Sequence, residues 1–178
     1  MEKEEYAMIL DYLPHGYPLE RKMMPIAQAI GPVNLTLLEL VPRRGETIEI
    51  GEKVYIGEDK RDKIYYILGR LNQEKITESA KHELQDFLKK VISENETKFL
   101  EFFNKSEAIN KRMHQIELLP GFGKKHMQEI LKARREKLFE NFEDMKNRIQ
   151  NLPDPGRALE KRIFQELVEN ERYRLFVR

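Results

Sequence analysis

The chain has 178 residues, 40% of them hydrophobic and 35% charged, with a formal net charge of +1 and no cysteine; its mean hydropathy is −0.68. No run approaches the roughly 18 to 20 apolar residues that span a bilayer, so membrane insertion is not expected, and the lack of cysteine excludes disulfides, thiolate metal sites and a cysteine nucleophile. The opening MEKEEYAMIL has neither the basic nor the apolar segment of a secretory leader, which makes a cytoplasmic protein the expectation; the heavy Lys and Glu load resembles a thermophile's composition.

The first 70 residues read as β-structure. Runs rich in β-branched and aromatic residues, at 6–12, 26–30, 34–41, 53–56 and 64–68, alternate with the breaks PHGYP, Gly31-Pro32, PRRGE and GEDKRD. Five strands suit a small OB-like or SH3-like barrel, and the GEDKRD break is expected to close a hairpin between the fourth and fifth. Tyr55 and Tyr65 on those strands, with Arg43 and Arg44 in a loop, supply the aromatics and cations with which such barrels stack single-stranded bases. Tyr65 and Tyr66 face opposite sides of one strand, so one of the two is expected in the core.

Residues 71–105 form a helical connector. Ala80, Leu84, Phe87, Leu88 and Val91 make one apolar stripe, while Phe99, Phe102 and Phe103 make another after Ser93-x-x-Glu96, a pattern that predicts a break with a capping box.

From residue 106 the chain reads as all-α. A helix is expected over 106–115, with Ile109 and Met113 on one face, and another over 124–137, with Met127, Ile130 and Leu131 inward. Between them lies LLPGFGKK at 118–125. Two glycines at the mouth of a helix leave backbone N–H groups free of any Cβ, and the helix macrodipole adds about half a positive charge there. That arrangement binds anions. The string resembles the helix-hairpin-helix motif, a sequence-independent binder of nucleic-acid backbones, except that Met127 stands where the motif usually has a small residue. The resemblance implies that Gly121, Phe122, Gly123, Lys124 and Lys125 cup a phosphate, with Arg134 or Arg135 on a neighbouring one. Residues 111–137 hold eight basic side chains against three acidic ones, the kind of local patch that a backbone binder uses whatever its net charge.

A second copy follows 33 residues later, LPDPGR at 152–157, between helices expected over 142–149 (with Asn141 as N-cap) and 157–168. Here Asp154 replaces the first glycine and Pro155 lacks an N–H. This copy is expected to be mainly structural, with Arg157 its best candidate for touching nucleic acid.

Catalytic signatures are missing. No GxSxG elbow, Walker A loop or HExxH helix occurs, and His15, His82, His114 and His126 have no ligand spacing. Neither a metal nor a cofactor is expected, and the chain is not expected to be an enzyme.

Taken together, YAMILDYLPHG at the start, ENETKFLEFFNKSEAINKRMHQIELLPGFGKK in the middle and NFEDMKNRIQNLPDP with LEKRIFQEL near the end resemble the DUF655 family of uncharacterised archaeal proteins over nearly the full length. The resemblance implies an OB-like barrel joined to paired hairpins, an archaeal source, and a gene often placed beside those for transcription and ribosome maturation. The expectation is an α+β protein: an OB-like β-barrel over 1–70, a helical connector over 71–105, and a tandem helix-hairpin-helix domain over 106–178. Its expected partner is the phosphate backbone of DNA or RNA. The alternative is a protein-interaction module that docks on a ribosomal or polymerase partner, with Leu175, Phe176 and Val177 in an exposed apolar patch.

Overall fold

A computed structural model describes residues 2–178. The chain separates into two compact units, Met1–Asp86 with Glu166–Arg178, and Phe87–Gln165.

The first unit is built on a five-stranded antiparallel sheet. β1 (Tyr6–Leu13), β2 (Ile26–Gly31), β3 (Thr36–Pro42), β4 (Lys53–Tyr55) and β5 (Ile64–Arg70) lie in the order β4-β1-β2-β3-β5. Every expected strand is present with its ends within two residues, but the expected β4–β5 hairpin is not. β4 pairs with β1, Tyr6 opposite Tyr55, and β5 pairs with β3, Leu40 opposite Ile67. The result is a curled half-barrel open between β4 and β5, not a closed barrel. The loop between those two strands bonds to itself instead: Arg61 Nε donates to the Gly57 carbonyl at 2.8 Å, and Ile56 N–H is already taken by Glu5 O at 2.8 Å. Ala7, Ile9, Ala27, Ala29, Leu40, Val54, Ile56 and Ile64 form the core on one face, where three alanines leave room for the sheet to curl.

A bulge in β1 between Ile9 and Asp11 sets a polar row on the other face. Asp11 pairs with Gln28 and Gln28 with Glu39, and all three are buried. Their demands are met by the start of α1 (Glu78–Glu94) and by Tyr17: Thr77 Oγ1 donates to Asp11 Oδ2 at 2.5 Å, Thr77 N to Gln28 Oε1 at 3.1 Å, and Tyr17 Oη to Glu39 Oε2 at 2.7 Å. Thr77 Oγ1 also accepts from Ala80 N at 3.1 Å, so one hydroxyl caps the helix and ties it to the sheet. At the chain's other end the fully buried Glu166 accepts the N–H groups of Leu175, Phe176 and Val177 on one carboxylate oxygen, at 2.7, 3.0 and 3.3 Å. Those three residues are therefore clasped, with Val177 buried and the other two half-buried, rather than spread as an exposed apolar patch.

The second unit holds the end of α1, then α2 (Glu96–Lys105), α3 (Lys124–Glu136), α4 (Phe142–Arg148) and the start of α5 (Pro155–Val168). The helix break falls at Asn95, as expected, but the Ser93–Glu96 capping box does not form: Asn95 stands at the N-cap and its side chain donates to Val91 O at 2.8 Å, while Glu96 accepts Phe142 N–H at 2.7 Å. Residues 106–115 are not a helix. Ser106 ends α2, and a small β-hairpin, β6 (Ala108–Asn110) with β7 (Met113–His114), leads into one 3-10 turn, Gln115–Leu118. The physical reason is Asn110, whose side-chain oxygen accepts Arg112 N–H at 2.8 Å and bends the chain into a turn that competes with helix. Asn141 caps α4 as expected, accepting Asp144 N–H at 2.6 Å. Phe103, fully buried, lies 6.0 Å from the Phe122 ring and 6.3 Å from the Phe142 ring.

Candidate functional site

The turn at 118–125 is held from below by apolar anchors. Leu119 and Phe122 are buried, and between them Gly121, at φ +85°, makes the left-handed step that a side chain resists. The Phe122 ring packs inward against Phe103, which leaves Gly121, Gly123, Lys124 and Lys125 exposed. A reciprocal cap steadies the approach: His114 Nδ1 accepts Ile116 N–H at 3.2 Å and Glu117 accepts His114 N–H at 2.7 Å. Burial and the nearby Arg134 guanidinium hold the His114 imidazole below its usual range, against the opposing pull of Glu117.

Of the donors expected to face a phosphate, one is spent inside the hairpin. Phe122 N–H goes to Leu119 O at 3.1 Å. Gly123 N–H meets His126 Nδ1 at 3.5 Å, the limit of hydrogen-bonding distance. The first intrahelical bond is Met127 N–H to Gly123 O at 3.0 Å, so the N–H groups of Lys124, Lys125 and His126 have no acceptor among the described residues. The donor set is thus shifted one residue toward the helix: Gly123 loosely held, then Lys124, Lys125 and His126 free. A Cβ placed on Gly123 would meet nothing within 4 Å, while one on Gly121 would come within 3.8 Å of the Pro153 side chain; the two hairpin turns abut there.

Arg134 and Arg135 part company. Arg134 turns inward, donating to Phe103 O at 2.9 Å and to the hydroxyl and carbonyl of Ser106 at 3.0 and 2.8 Å, where it closes the C-terminus of α2. Burial, followed by the charge of Arg135, lowers its pKa, opposed by Glu107. Its guanidinium is thus engaged within the second unit. Arg135 is exposed, as is Lys132, a further cation beyond those expected from the motif, whose helical spacing from Lys125 is its sequence signal. Lys125, Lys132 and Arg135 share one face of α3 and span about 15 Å along its axis. Lys137 is paired with Glu140 at 2.7 Å.

In the second hairpin the protein supplies its own anion. Asp154 Oδ1 accepts Arg157 N–H at 2.9 Å, and Oδ2 lies 3.7 Å from Lys146 Nζ. Arg157 itself is exposed. In the first unit, Tyr65 is 63% exposed with the Arg43 guanidinium 6.0 Å from its ring centre, and Arg44 is exposed. Arg43 Nε is tied to Arg61 O at 2.7 Å. Tyr55 is engaged in packing: its ring meets Tyr6 edge-on at 5.4 Å and its hydroxyl accepts Asp59 N–H at 3.2 Å. Among the described residues, no three His, Asp or Glu side chains gather to hold a metal ion, and no helix is long and apolar enough to cross a membrane.

Residues 3–178 match the family described as a protein of unknown function, DUF655. An uncharacterised protein of Methanocaldococcus jannaschii is 41% identical over 177 residues, 98% of this chain and 80% of the relative. The crystal structure of Af1531 from Archaeoglobus fulgidus, of the same family, superposes with a TM-score of 0.84 at 39% identity, covering 98% of this chain and all of that one. On the full-length match, the shared identity and the common fold, the chain belongs to the DUF655 family.

Proposed function

We propose that this protein binds the phosphate backbone of nucleic acid at the 118–125 turn, without catalysis. On this reading the curled sheet is an OB-like fold opened at one seam. The two hairpins are a helix-hairpin-helix pair, the leading helix of the first reduced to a single 3-10 turn. The observation that carries the reading is the contrast between the two turns. Where the Asp154 carboxylate accepts the Arg157 N–H at the start of one helix, the N–H groups of Lys124, Lys125 and His126 at the start of the other are left open, with the exposed Lys124 and Lys125 side chains beside them. A phosphate oxygen satisfies those donors as the Asp154 carboxylate satisfies its own. Phosphate contacts position the protein and carry no sequence information by themselves. Tyr65 with Arg43, and Arg44 beside them, are a secondary surface for stacking an unpaired base.

The test is a filter-binding titration of duplex DNA, duplex RNA and single strands at several salt concentrations. Binding is expected to weaken linearly on a log–log plot, by about 0.9 per duplex phosphate neutralised and about 0.7 on a single strand. A flat salt response would sink the proposal and leave the turn as architecture, in favour of docking on a protein of the ribosome or the transcription machinery.

A further inference from the structure

Three arginines of the first unit stand on one groove with no acid paired to them. Arg70 ends β5, while Arg174 and Arg178 belong to the segment that Glu166 clasps, and all three are exposed. They line a groove of about 220 Å³ together with the buried Leu35, Leu71 and Val177. Among the described residues no carboxylate pairs with any of the three guanidinium groups. Their one hydrogen bond runs from Arg70 Nη1 to the main-chain oxygen of Arg178, at 3.4 Å. Glu166, the acid on this groove, is fully buried, and one of its oxygens is filled by the N–H groups of Leu175, Phe176 and Val177.

Like charges gathered on one groove repel. The clasp keeps them there, because it fixes the main chain at 175–177 between the two tail arginines. Three guanidinium groups outweigh the Glu166 carboxylate, even with a second carboxylate on the main chain of Arg178, so the groove stays positive. What relieves the repulsion is an anion that engages several guanidinium forks at once. A carboxylate offers two oxygens, whereas a phosphate group offers three or more and accepts paired hydrogen bonds from each fork. The groove is smaller than the roughly 300 to 1,000 Å³ of pockets that enclose a drug-sized ligand, so it suits the phosphate group of a ligand rather than the whole of a large one.

We propose that the groove of Arg70, Arg174 and Arg178 binds a phosphate group, at a site separate from the 118–125 turn and independent of the reading given for that turn. The experiment is an NMR titration of the isotope-labelled full chain with sodium phosphate, against sodium chloride at equal ionic strength. Saturable shifts are expected with phosphate alone at the amides of Leu71, Asn72, Leu175 and Val177. Arg174→Gln is expected to weaken that binding about tenfold, the loss of a charge-assisted hydrogen bond, and to leave the rest of the spectrum native, since no protein group pairs with the Arg174 side chain. Shifts that follow chloride as closely as phosphate, or that keep their full affinity in Arg174→Gln and in Arg70→Gln, overturn the site. Shifts confined to Gly123–His126 also overturn it and leave the turn as the phosphate binder, while shifts confined to the groove uphold it and count against the turn. Single strands with a 5′-phosphate or a 5′-hydroxyl then identify the source of the phosphate. A 5′-phosphate that tightens binding about tenfold, with the gain lost in Arg174→Gln, assigns the groove to a strand end. Equal binding of the two strands beside an intact response to inorganic phosphate assigns it to a free phosphate compound.

Discussion

Gly121 and Gly123 are one residue apart and have different reasons to be glycine. Gly121 stands at φ +85°, whereas Gly123 has φ −102° and ψ −170°, an extended conformation that a β-branched residue adopts readily. Open space surrounds the position of a Cβ at 123. Gly121→Val is therefore expected to destabilise the protein by about 2 kcal/mol, the strain of a left-handed non-glycine residue, in urea unfolding. Gly123→Val is expected to leave the unfolding midpoint unchanged and to weaken nucleic-acid binding by about tenfold, since its methyls would cover the N–H groups of the next turn and cost one charge-assisted hydrogen bond. A Gly123→Val protein that binds as before would refute the backbone grip, because nothing in the fold needs that glycine. Phe122 shows the same division of labour between neighbours: its ring and its N–H both serve the interior, and that inward anchoring turns the glycines outward.

Among the elements, those specified by local signals are legible in the sequence and those specified by distant partners are not. The five strands were legible because Gly and Pro punctuate runs of Ile, Val, Leu and Tyr, and α3 because Ile130 and its neighbours repeat at helical spacing. Which strands pair is settled by partners far along the chain: Ile56 N–H is already spent on Glu5, and no pattern within 53–68 shows that. Residues 106–115 mimic a helix because Ile109 and Met113 stand four apart by coincidence, while Asn110 turns the chain. Arg134 likewise matches the cationic run in sequence, yet its carbonyl acceptors lie 28 and 31 residues away. Since the neutral His114 ring accepts Ile116 N–H and its pKa is held below the ordinary 6.5, the unfolded chain takes up a proton there before the folded one does. Stability from this group is present above pH 6.5 and lost as the pH falls through that value toward the lowered one. Urea midpoints measured from neutral pH downward are expected to fall over this range in the native chain and to fall less in His114→Gln. Equal slopes in the two would show that the cap contributes nothing.

For the whole molecule, a net charge of +1 offers little long-range attraction to a polyanion, so affinity has to come from where the cations are placed. The salt slope counts them. Lys124, Lys125, Lys132 and Arg135 are exposed around the turn and along one helix, and full engagement of these side chains on duplex DNA gives a slope of about −3.6. A markedly steeper slope would mean that cations of the other unit, such as Arg43 and Arg44, also hold phosphates. The two adjacent arginines then provide the sharpest discrimination. Arg135→Ala is expected to reduce the slope by about 0.9 on duplex with no change in stability. Arg134→Ala is expected to leave the slope alone and cost about 2 to 3 kcal/mol, because the Phe103 and Ser106 carbonyls lose their donors. If instead Arg134→Ala lowered the slope at unchanged stability, its inward hydrogen bonds would have to break on binding, and the assignment of structural and binding roles along α3 would have to be reversed.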